Sequence, residues 1–488
     1  MNGVGFRVDW GVALARISLR GFRNLEPITL EFDRGANYLF GPNGAGKTNL
    51  LEAIHYLAIG RSFRRCPDTD LLGFGREVFV VPGTDASGER AEIRFDGREK
   101  RILRNDIPVD KLSEYFGWLP VVVLLLEDIE LVRGAPGIRR SFLDVAIAKA
   151  EGRTSTDYAD YTDYAKDRSE GKSQEPNTKG KDGTKLEARS QKPECRTAGR
   201  TSYIALMGEY RRAVSQYNRL LERGTKDEGR GTADEIAAWE EEVVRTGVPV
   251  YEARLGKVGE LLDSAARHNE RLAGHRAEFS YRASVAGIGT RSEIVEAKTG
   301  TVPRAERSGG LFPVFVGVTR DLAEAFRERL AQTRERARYL GHAVVGPHRD
   351  DIRITRGERE LRKFGSVGEQ RLAGIALRLA EADMILSAGR QRPVFLLDEV
   401  ASELDEQRSR MVLEMVEERG QMVYAAARRI APQVRSSKDK GQMGDAEQEC
   451  ASSVRDAGPS LDPLAPGPLD PSFGKEFHVE AGKVSEVS

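Results

Sequence analysis

Residues 41–49 read GPNGAGKTN and contain the residue types that hold the phosphates of a nucleotide. The stretch fits the pattern G-x-x-x-x-G-K-[ST] from Gly41 to Thr48. Its glycines let backbone N–H groups turn toward phosphates, Lys47 would reach the β- and γ-phosphates, and the Thr48 hydroxyl would ligate Mg²⁺. An apolar strand precedes the loop and an apolar-faced helix follows it, which is the context that the pattern requires. The predicted nucleotide-binding residues of the loop are Gly41, Pro42, Asn43, Gly44, Ala45, Gly46, Lys47, Thr48 and Asn49.

A second acidic element, RPVFLLDE, occupies residues 392–399. The run Val394–Leu397 is apolar throughout, as in a parallel strand that is covered on both faces. Asp398 would hold Mg²⁺, and Glu399 would polarise the attacking water. We therefore predict Lys47, Asp398 and Glu399 as catalytic residues and Thr48 and Asp398 as metal ligands. The alternative is a capped strand end with incidental acids.

A third motif, FGSVGEQRLAGIALRLAEA at 364–382, narrows the class of nucleotide-binding protein. A Ser-x-Gly loop enters an apolar-faced helix, whose N-terminus suits an anion. Alone, such a string could be only a capped helix. After a phosphate loop and before the acidic strand, it resembles the signature motif of ABC-type ATPases, in which one subunit's signature covers the γ-phosphate held by the other. That resemblance implies a two-fold, ATP-dependent homodimer with Ser366 and Gly368 binding nucleotide in trans.

Composition excludes little but points to a non-membrane protein. The chain has 488 residues, 76 Lys plus Arg and 76 Asp plus Glu, so any nucleic-acid surface must be a local patch. Three separated cysteines show no disulfide or metal spacing, as in a reducing cytosol. The apolar run at 119–126 is too short to span a bilayer, and the N-terminus lacks a signal-peptide pattern, so we expect a cytoplasmic protein.

Periodicity predicts α/β segments before and after a mainly helical arm. The motif resemblance implies that these segments form an ABC-type ATPase head (a P-loop NTPase), which the arm interrupts. The stretches ADEIAAWEEEVVRTG and YEARLGKVGELLDSAARHNERLAG are expected to be separate antiparallel helices, because Gly and Pro interrupt them. The expected division is the N-terminal part of the head at 1–150, a disordered insertion at 151–200, the arm at 201–340, the C-terminal part of the head at 341–431, a low-complexity insertion at 432–474 and closing strands at 475–488.

Several longer motifs together resemble the RecF family of bacterial recombination mediators. They are GFRNLEPITLEF, GPNGAGKTNLLEAIHYLAIGRSFR, GAPGIRRSFLD, YRRAVSQYNRLL, GPHRDDI, SVGEQRLAGIALRLAEA and FLLDEVASELD, in the order expected of that family. The resemblance implies a slow DNA-dependent ATPase with ATP and Mg²⁺ as cofactors. It further implies DNA binding at single-strand gaps and junctions, RecR and RecO as partners, promotion of RecA loading, and support of the SOS response.

The chain departs from that family's pattern at a few positions. Leu126 stands where a proline is usual, Glu399 replaces a frequent aspartate, and Ala425 or Ala426 replaces an expected threonine or histidine near the γ-phosphate. The last change removes a polar side chain that would bear on the hydrolysis rate.

Other charged residues have weaker interpretations. Arg61, Arg64 and Arg65 could contact phosphates of DNA or nucleotide, or form a solvated turn. The arginine-rich stretch FRERLAQTRERARYL could line a DNA groove or be a solvated face. In GPHRDD, His348 is expected to be structural, with Asp350 and Asp351 capping the turn, and Asp405 is expected at the dimer seam.

Two rival functions also fit part of these motifs. A structural SMC-like protein would need a long coiled coil with a hinge, which about 140 residues of broken helices do not supply. A transporter's ATPase subunit would keep its phosphate loop and signature closer together, with no arm between them.

Overall fold

The computed structural model describes residues 13–109, 115, 117–151, 202–225, 233–285, 322–427 and 474–487. The predicted insertions at 151–200 and 432–474 lie outside these residues, apart from Glu151 and Gly474. The strands are β1 Leu14–Leu19, β2 Ile28–Glu31, β3 Ala36–Phe40, β4 Phe79–Asp85, β5 Arg90–Phe95, β6 Lys100–Arg104, β7 Ile107–Pro108, β8 Val121–Leu124, β9 Glu278–Arg282, β10 Asp351–Arg356, β11 Arg359–Glu360, β12 Val394–Asp398, β13 Gln421–Ala426, β14 Gly474–Glu480 and β15 Lys483–Val487. The α-helices are α1 Lys47–Ile59, α2 Glu130–Arg133, α3 Pro136–Glu151, α4 Tyr203–Thr225, α5 Ala233–Ala273, α6 Leu322–Leu340, α7 Leu361–Phe364, α8 Val367–Ser387 and α9 Glu406–Glu417.

Two six-stranded sheets form the head. One is antiparallel, in the order β2-β1-β4-β5-β6-β7. The other has the order β15-β14-β3-β13-β12-β8, with parallel pairing from β14 to β8 and an antiparallel β15 at the edge. The parallel core of this mixed sheet brings the carboxyl ends of β3, β12 and β8 to one edge. That edge is where an α/β sheet places its ligands.

The helix α1 lies under the antiparallel sheet and extends from the phosphate loop. Its predicted apolar face, at Leu50, Leu51, Ile54, Leu57 and Ala58, is fully buried. Gly60 ends the helix in a left-handed conformation, as expected. This core joins both sheets, so the position of the phosphate loop follows from the burial of α1.

The predicted break between two arm helices is wrong. Residues 233–273 form one 41-residue helix, α5, that contains Pro249. A proline inside a helix costs one backbone hydrogen bond and about 3 kcal/mol. Val243, Val244, Val250 and Tyr251 on both sides of it are buried in one core, and this packing offsets that cost.

The arm helices share a hydrophobic core with the head. The core includes Tyr210 of α4, Leu261 of α5 and Phe326 of α6, together with Ile147 of α3 and Leu377 of α8. The opposite side of α8 packs toward the mixed sheet through residues such as Leu372 and Ile375. The signature helix therefore lies between arm and sheet. In the described part of the chain, no helix is long and apolar enough to cross a membrane.

Candidate nucleotide site

The phosphate loop joins β3 to α1 in the geometry that its sequence predicts. Gly46 precedes α1 with a φ of 116° and Gly41 has a φ of 153°. A Cβ atom at Gly41 would lie 1.9 Å from the carbonyl oxygen of Val479 in β14, so a side chain cannot be accommodated there. The closing strand β14 thus sets the path of the loop, and the first N–H groups of α1 remain available to an anion.

Lys47 lies inside the loop with only 4 % of its surface exposed. Its Nζ donates hydrogen bonds to the carbonyl oxygens of Gly41 at 2.8 Å and Pro42 at 3.1 Å. It also lies 3.7 Å from Oε1 of Glu399. The structure therefore brings together the phosphate-loop lysine and the predicted water-polarising carboxylate from opposite ends of the sequence.

The acidic element follows a strand that is buried on both faces, as predicted. β12 pairs in parallel with β8 on one side and β13 on the other. Burial raises the pKa of Asp398, a hydrogen bond from the Thr48 hydroxyl lowers it, and Glu399 and Glu127 raise it further. Glu399 has a φ of 52°, a strained backbone conformation, and its N–H donates to the Ala425 carbonyl at 3.0 Å.

These residues surround a pocket of about 270 Å³. Two residues that line this pocket were not predicted as site residues from the sequence. They are Leu126 and Glu127, in the 3₁₀ turn Leu126–Ile129 after β8. The sequence did offer a signal for Glu127, because it is an acidic residue that follows a second apolar strand. In the sheet, that strand, β8, is the direct neighbour of β12. The lining consists of Asn43, Gly44, Gly46, Lys47, Thr48, Asn49, Arg64, Leu126, Glu127, Asp398 and Glu399.

The pocket's donor set fits Mg²⁺. The Thr48 hydroxyl and the Asp398 carboxylate are in hydrogen-bond contact, and both offer the oxygen ligands that Mg²⁺ prefers. Mg²⁺ usually binds through one or two carboxylates together with substrate phosphates. In the described part of the chain, no group of three or more His, Cys, Asp or Glu residues forms a protein-only metal site.

Of the three basic candidates, only Arg64 lines this pocket. Its Nη1 donates to Oδ1 of Asn49 at 2.8 Å and to Oε2 of Glu52 at 3.1 Å. Glu52 is fully buried and also accepts two hydrogen bonds from Arg23, each 2.9 Å long. Arg64 is therefore placed at the nucleotide rim rather than on a separate surface. Arg61 and Arg65 do not line the pocket, and Arg65 is exposed with a φ of 57°.

The signature residues do not meet the phosphate loop within one chain. Ser366 is the N-cap of α8, where its hydroxyl accepts from the Glu369 N–H and the Glu369 carboxylate accepts from the Ser366 N–H. Ser366 and Gly368 are exposed and neither lines the pocket. Asp405 is likewise an exposed N-cap, of α9, and accepts from the Arg408 N–H.

A buried ion network joins the signature helix to the turn that carries Glu127. Arg378 of α8 donates to Oδ1 of Asp128 at 2.8 Å and to Oε2 of Glu381 at 3.0 Å. Glu381 also accepts from Lys149 of α3 at 2.6 Å. Burial acts to raise the pKa of Glu381, but the two cations outweigh it and lower that pKa. Because Asp128 is next to the pocket residue Glu127, a displacement of α8 would also shift the turn that lines the pocket.

Contrary to expectation, the side chains of the two aspartates of GPHRDD do not cap the turn. Asp350 is fully buried and accepts from Tyr281 and from the Ser284 N–H, and its carboxylate lies 3.3 Å from the Arg254 guanidinium. Asp351 forms a two-pronged pair with Arg139, at 2.7 and 3.0 Å. Tertiary ion pairing therefore replaces local capping.

His348 in the same motif is structural, as expected. Its Nδ1 lies 2.6 Å from the hydroxyl of Tyr210 in α4. The motif thus ties the arm to the head.

Comparison with known proteins identifies the family. An AAA domain family matches residues 16–229. A DNA replication and repair protein RecF from Moorella thermoacetica is 31 % identical over 414 residues, which cover 83 % of this chain and 87 % of the relative. The chain belongs to the RecF family. The RecF of Symbiobacterium thermophilum is 30 % identical over 409 residues, covering 83 % of this chain and 88 % of that protein.

Solved RecF structures share this fold. The recombination mediator RecF with ATP, of the RecFOR pathway, superimposes with a TM-score of 0.67 at 23 % identity, over 99 % of this chain and 100 % of that one. The RecF–ATPrS structure gives 0.66 at 22 % identity, over 98 % and 99 %. The predicted α/β head of ABC type with an interrupting helical arm is therefore confirmed as the fold.

Proposed function

We propose that this chain is an ATP-dependent DNA-binding protein of recombinational repair and replication, and that ATP closes two copies into a clamp. The observation that carries the proposal is that the predicted signature residues lie away from the pocket that the phosphate loop forms. The phosphate loop and the acidic residues line one pocket, whereas Ser366 and Gly368 face solvent elsewhere. A second copy supplies the missing half when its signature covers the γ-phosphate.

The surface around Ser366 supports this dimer. Phe364 and Val367 flank it with 68 % and 53 % of their surfaces exposed, and Arg362 and Lys363 are also exposed. The nucleotide pocket, in contrast, carries three carboxylates, at Glu127, Asp398 and Glu399. The two surfaces are complementary in charge, and apolar side chains next to the contact gain from burial.

The geometry of the pocket supports the following roles. Lys47 and the N-terminus of α1 bind the β- and γ-phosphates, Thr48 and Asp398 hold Mg²⁺, and Glu399 takes a proton from the attacking water. When bound, Mg²⁺ neutralises charge that develops on the phosphate oxygens. Water forms a bond to the γ-phosphorus, the bond to the bridging oxygen breaks, and ADP and phosphate leave.

Hydrolysis is proposed to be slow and DNA-dependent, because dimer lifetime is the useful output. Ala425, the register partner of Asp398, presents a buried methyl group to this end of the sheet, where a hydroxyl or imidazole could have assisted. By family membership we further propose DNA gaps and junctions as targets, RecR and RecO as partners, support of RecA loading and the SOS response, and a cytoplasmic location. We also propose a head at 1–150 and 341–431 with closing strands at 475–488, an arm at 201–340, and insertions at 151–200 and 432–474.

The test is DNA binding by fluorescence anisotropy with ATP, ADP or no nucleotide, on duplex, single-strand and gapped probes across a salt series. ATP-dependent binding that weakens with salt supports a clamp. Equal binding in all nucleotide states would uncouple ATP from DNA. No binding at low salt would overturn the proposal and revive a protein or membrane partner.

A further inference from the structure

The outer face of the antiparallel sheet carries an arginine surface that the nucleotide site does not use. Alternation along β1, β4 and β5 turns residues such as Ile17, Val81 and Ile93 toward the core on α1. The alternate positions face outward. Five of the outward side chains are exposed arginines, namely Arg16, Arg20, Arg90, Arg94 and Arg101.

Strand register arranges these arginines in two rows. In the first row, Arg16 lies opposite Thr84, which lies opposite Arg90. The rows are separated by four residues along each strand, or about 13 Å.

In the second row, Arg20 bridges to Val80, and Arg94 lies between Val80 and Arg101. Arginines that are two strands apart within a row are separated by about 10 Å. A groove of about 260 Å³ crosses the face between Arg16 and Arg90.

Most of the arginine side chains on this surface are not held in ion pairs with a described residue. Arg94 and Arg101 lie directly opposite each other, an arrangement that costs stability because like charges repel. Arg101 pairs with Glu99 at 2.9 Å. Within the described residues, the other four form no ion pair within 4.0 Å. The face also carries Glu31, opposite Arg16, and the groove is lined by Glu92 and Asp106.

The other arginine-rich stretch differs in this respect. In α6, Arg327 pairs with Glu241 at 2.7 Å and Arg334 pairs with Glu240. These α6 arginines are held in ion pairs with α5, whereas four of the five arginines of the sheet surface form no ion pair with a described residue.

We infer that this arginine surface binds the phosphate backbone of duplex DNA. This inference rests on the proposed function, since it locates the DNA surface of the same protein. Guanidinium groups match phosphate geometry and bind it without reading sequence. A duplex carries phosphates on both sides of a major groove about 12 Å wide, close to the spacing of the rows, while a single strand offers one line of phosphates. The long outward side chains of both rows can therefore engage a duplex together.

The test is the triple variant Arg16→Gln, Arg90→Gln, Arg94→Gln in the full chain. With ATP and a duplex probe, the slope of log affinity against log salt should fall in magnitude by about 2.7 for each copy whose surface contacts the duplex, since each phosphate contact contributes roughly 0.9. Affinity at low salt should fall at least tenfold, and ATP turnover without DNA should stay unchanged, because these residues lie outside the nucleotide pocket. The corresponding triple lysine variant should recover most of the affinity.

The matched control replaces exposed arginines on other surfaces, in the triple variant Arg245→Gln, Arg271→Gln, Arg410→Gln. Its DNA affinity should stay within twofold of the wild type. If the wild type binds duplex and the sheet variant binds with the same affinity and slope, the arginine surface is not the DNA site. If it loses single-strand binding but keeps duplex binding, the assignment to duplex is wrong. If the wild type binds no DNA at all, the proposed function itself fails.

Discussion

The ammonium nitrogen of Lys47 lies 3.7 Å from a carboxylate oxygen of Glu399 and donates to two carbonyls of its own loop. The lysine is thus folded back into the phosphate loop, with its charge partly balanced by the residue that we expect to activate water. Phosphates of a bound nucleotide would replace these contacts. Substitution of Lys47 should therefore affect nucleotide binding, whereas substitution of Glu399 should affect ATP hydrolysis.

Lys47→Ala should remove most nucleotide binding. A hydrogen bond to a charged group contributes about 1.5–3 kcal/mol, so affinity should fall by about one to two orders of magnitude. Titration of a fluorescent ATP analogue measures this change, and ATP-dependent dimerisation should be lost with it. Lys483→Ala, an exposed lysine on β15, is the control and should bind as the wild type does.

Glu399→Gln should keep nucleotide binding but slow turnover by at least about 100-fold, the usual contribution of a positioned proton acceptor. Because hydrolysis reopens the proposed clamp, this variant should accumulate as a dimer with ATP, which light scattering after size exclusion detects. Glu406→Gln, at an exposed position in α9, should turn over normally. Wild-type turnover in both the Lys47 and Glu399 variants would show that the catalytic roles are misassigned.

The double variant Phe364→Ser, Val367→Ser should weaken the ATP dimer. Both side chains are exposed in the single chain, so their loss should leave its melting temperature nearly unchanged. Burial of such side chains contributes about 1.5–3 kcal/mol each, so the dimer dissociation constant should rise at least tenfold. Analytical ultracentrifugation with ATP measures it. Phe74→Ser, an exposed phenylalanine elsewhere on the head, should not alter dimerisation, and equal dimers in both variants would exclude this surface.

Arg378→Met should destabilise the fold strongly. It leaves the buried carboxylates of Asp128 and Glu381 without this cation, and breaking a buried pair costs about 3–5 kcal/mol. Thermal melting should show a large drop. Arg410→Met, which breaks an exposed pair with Glu406, should cost less than about 0.5 kcal/mol. Similar melting temperatures for the two variants would contradict a structural role for the buried network.

Acidification should destabilise the protein through His348. Burial, and then the neighbouring Arg349, lower the pKa of this histidine to about 3. The unfolded chain, with a pKa of about 6.5, therefore takes up the proton first. The free energy of unfolding is therefore unaffected by His348 above about pH 6.5. As the pH falls from there toward 3, it decreases by about 1.4 kcal/mol per pH unit.

Denaturant unfolding of wild type and His348→Gln at pH 7 and pH 5 measures this effect. The variant should lose about 2 kcal/mol less than the wild type over that interval. His342→Gln, a neighbouring histidine bonded to the Leu340 carbonyl, is the control. If the His348 variant and the wild type respond equally, His348 is not the group that titrates.

The phosphate loop, the acidic strand end and the capped signature helix were predictable because each depends on local spacing and periodicity. Gly41, Lys47, Asp398 and Ser366 occupy the local settings that their motifs imply. Tertiary structure decided what depends on contacts between distant segments. It joined the two predicted arm helices through Pro249, because buried side chains on both flanks offset a local penalty.

Tertiary structure likewise placed Glu127 beside Asp398, because β8 and β12 are neighbours in the sheet although far apart in sequence. It also paired Asp350 with Arg254. Strand register gathered the arginines of β1, β5 and β6 on one face of a chain whose net charge is zero. Motif spacing depends only on the order of residues in the chain. The neighbours of a strand and the partners of a buried charge are determined only when the whole core packs.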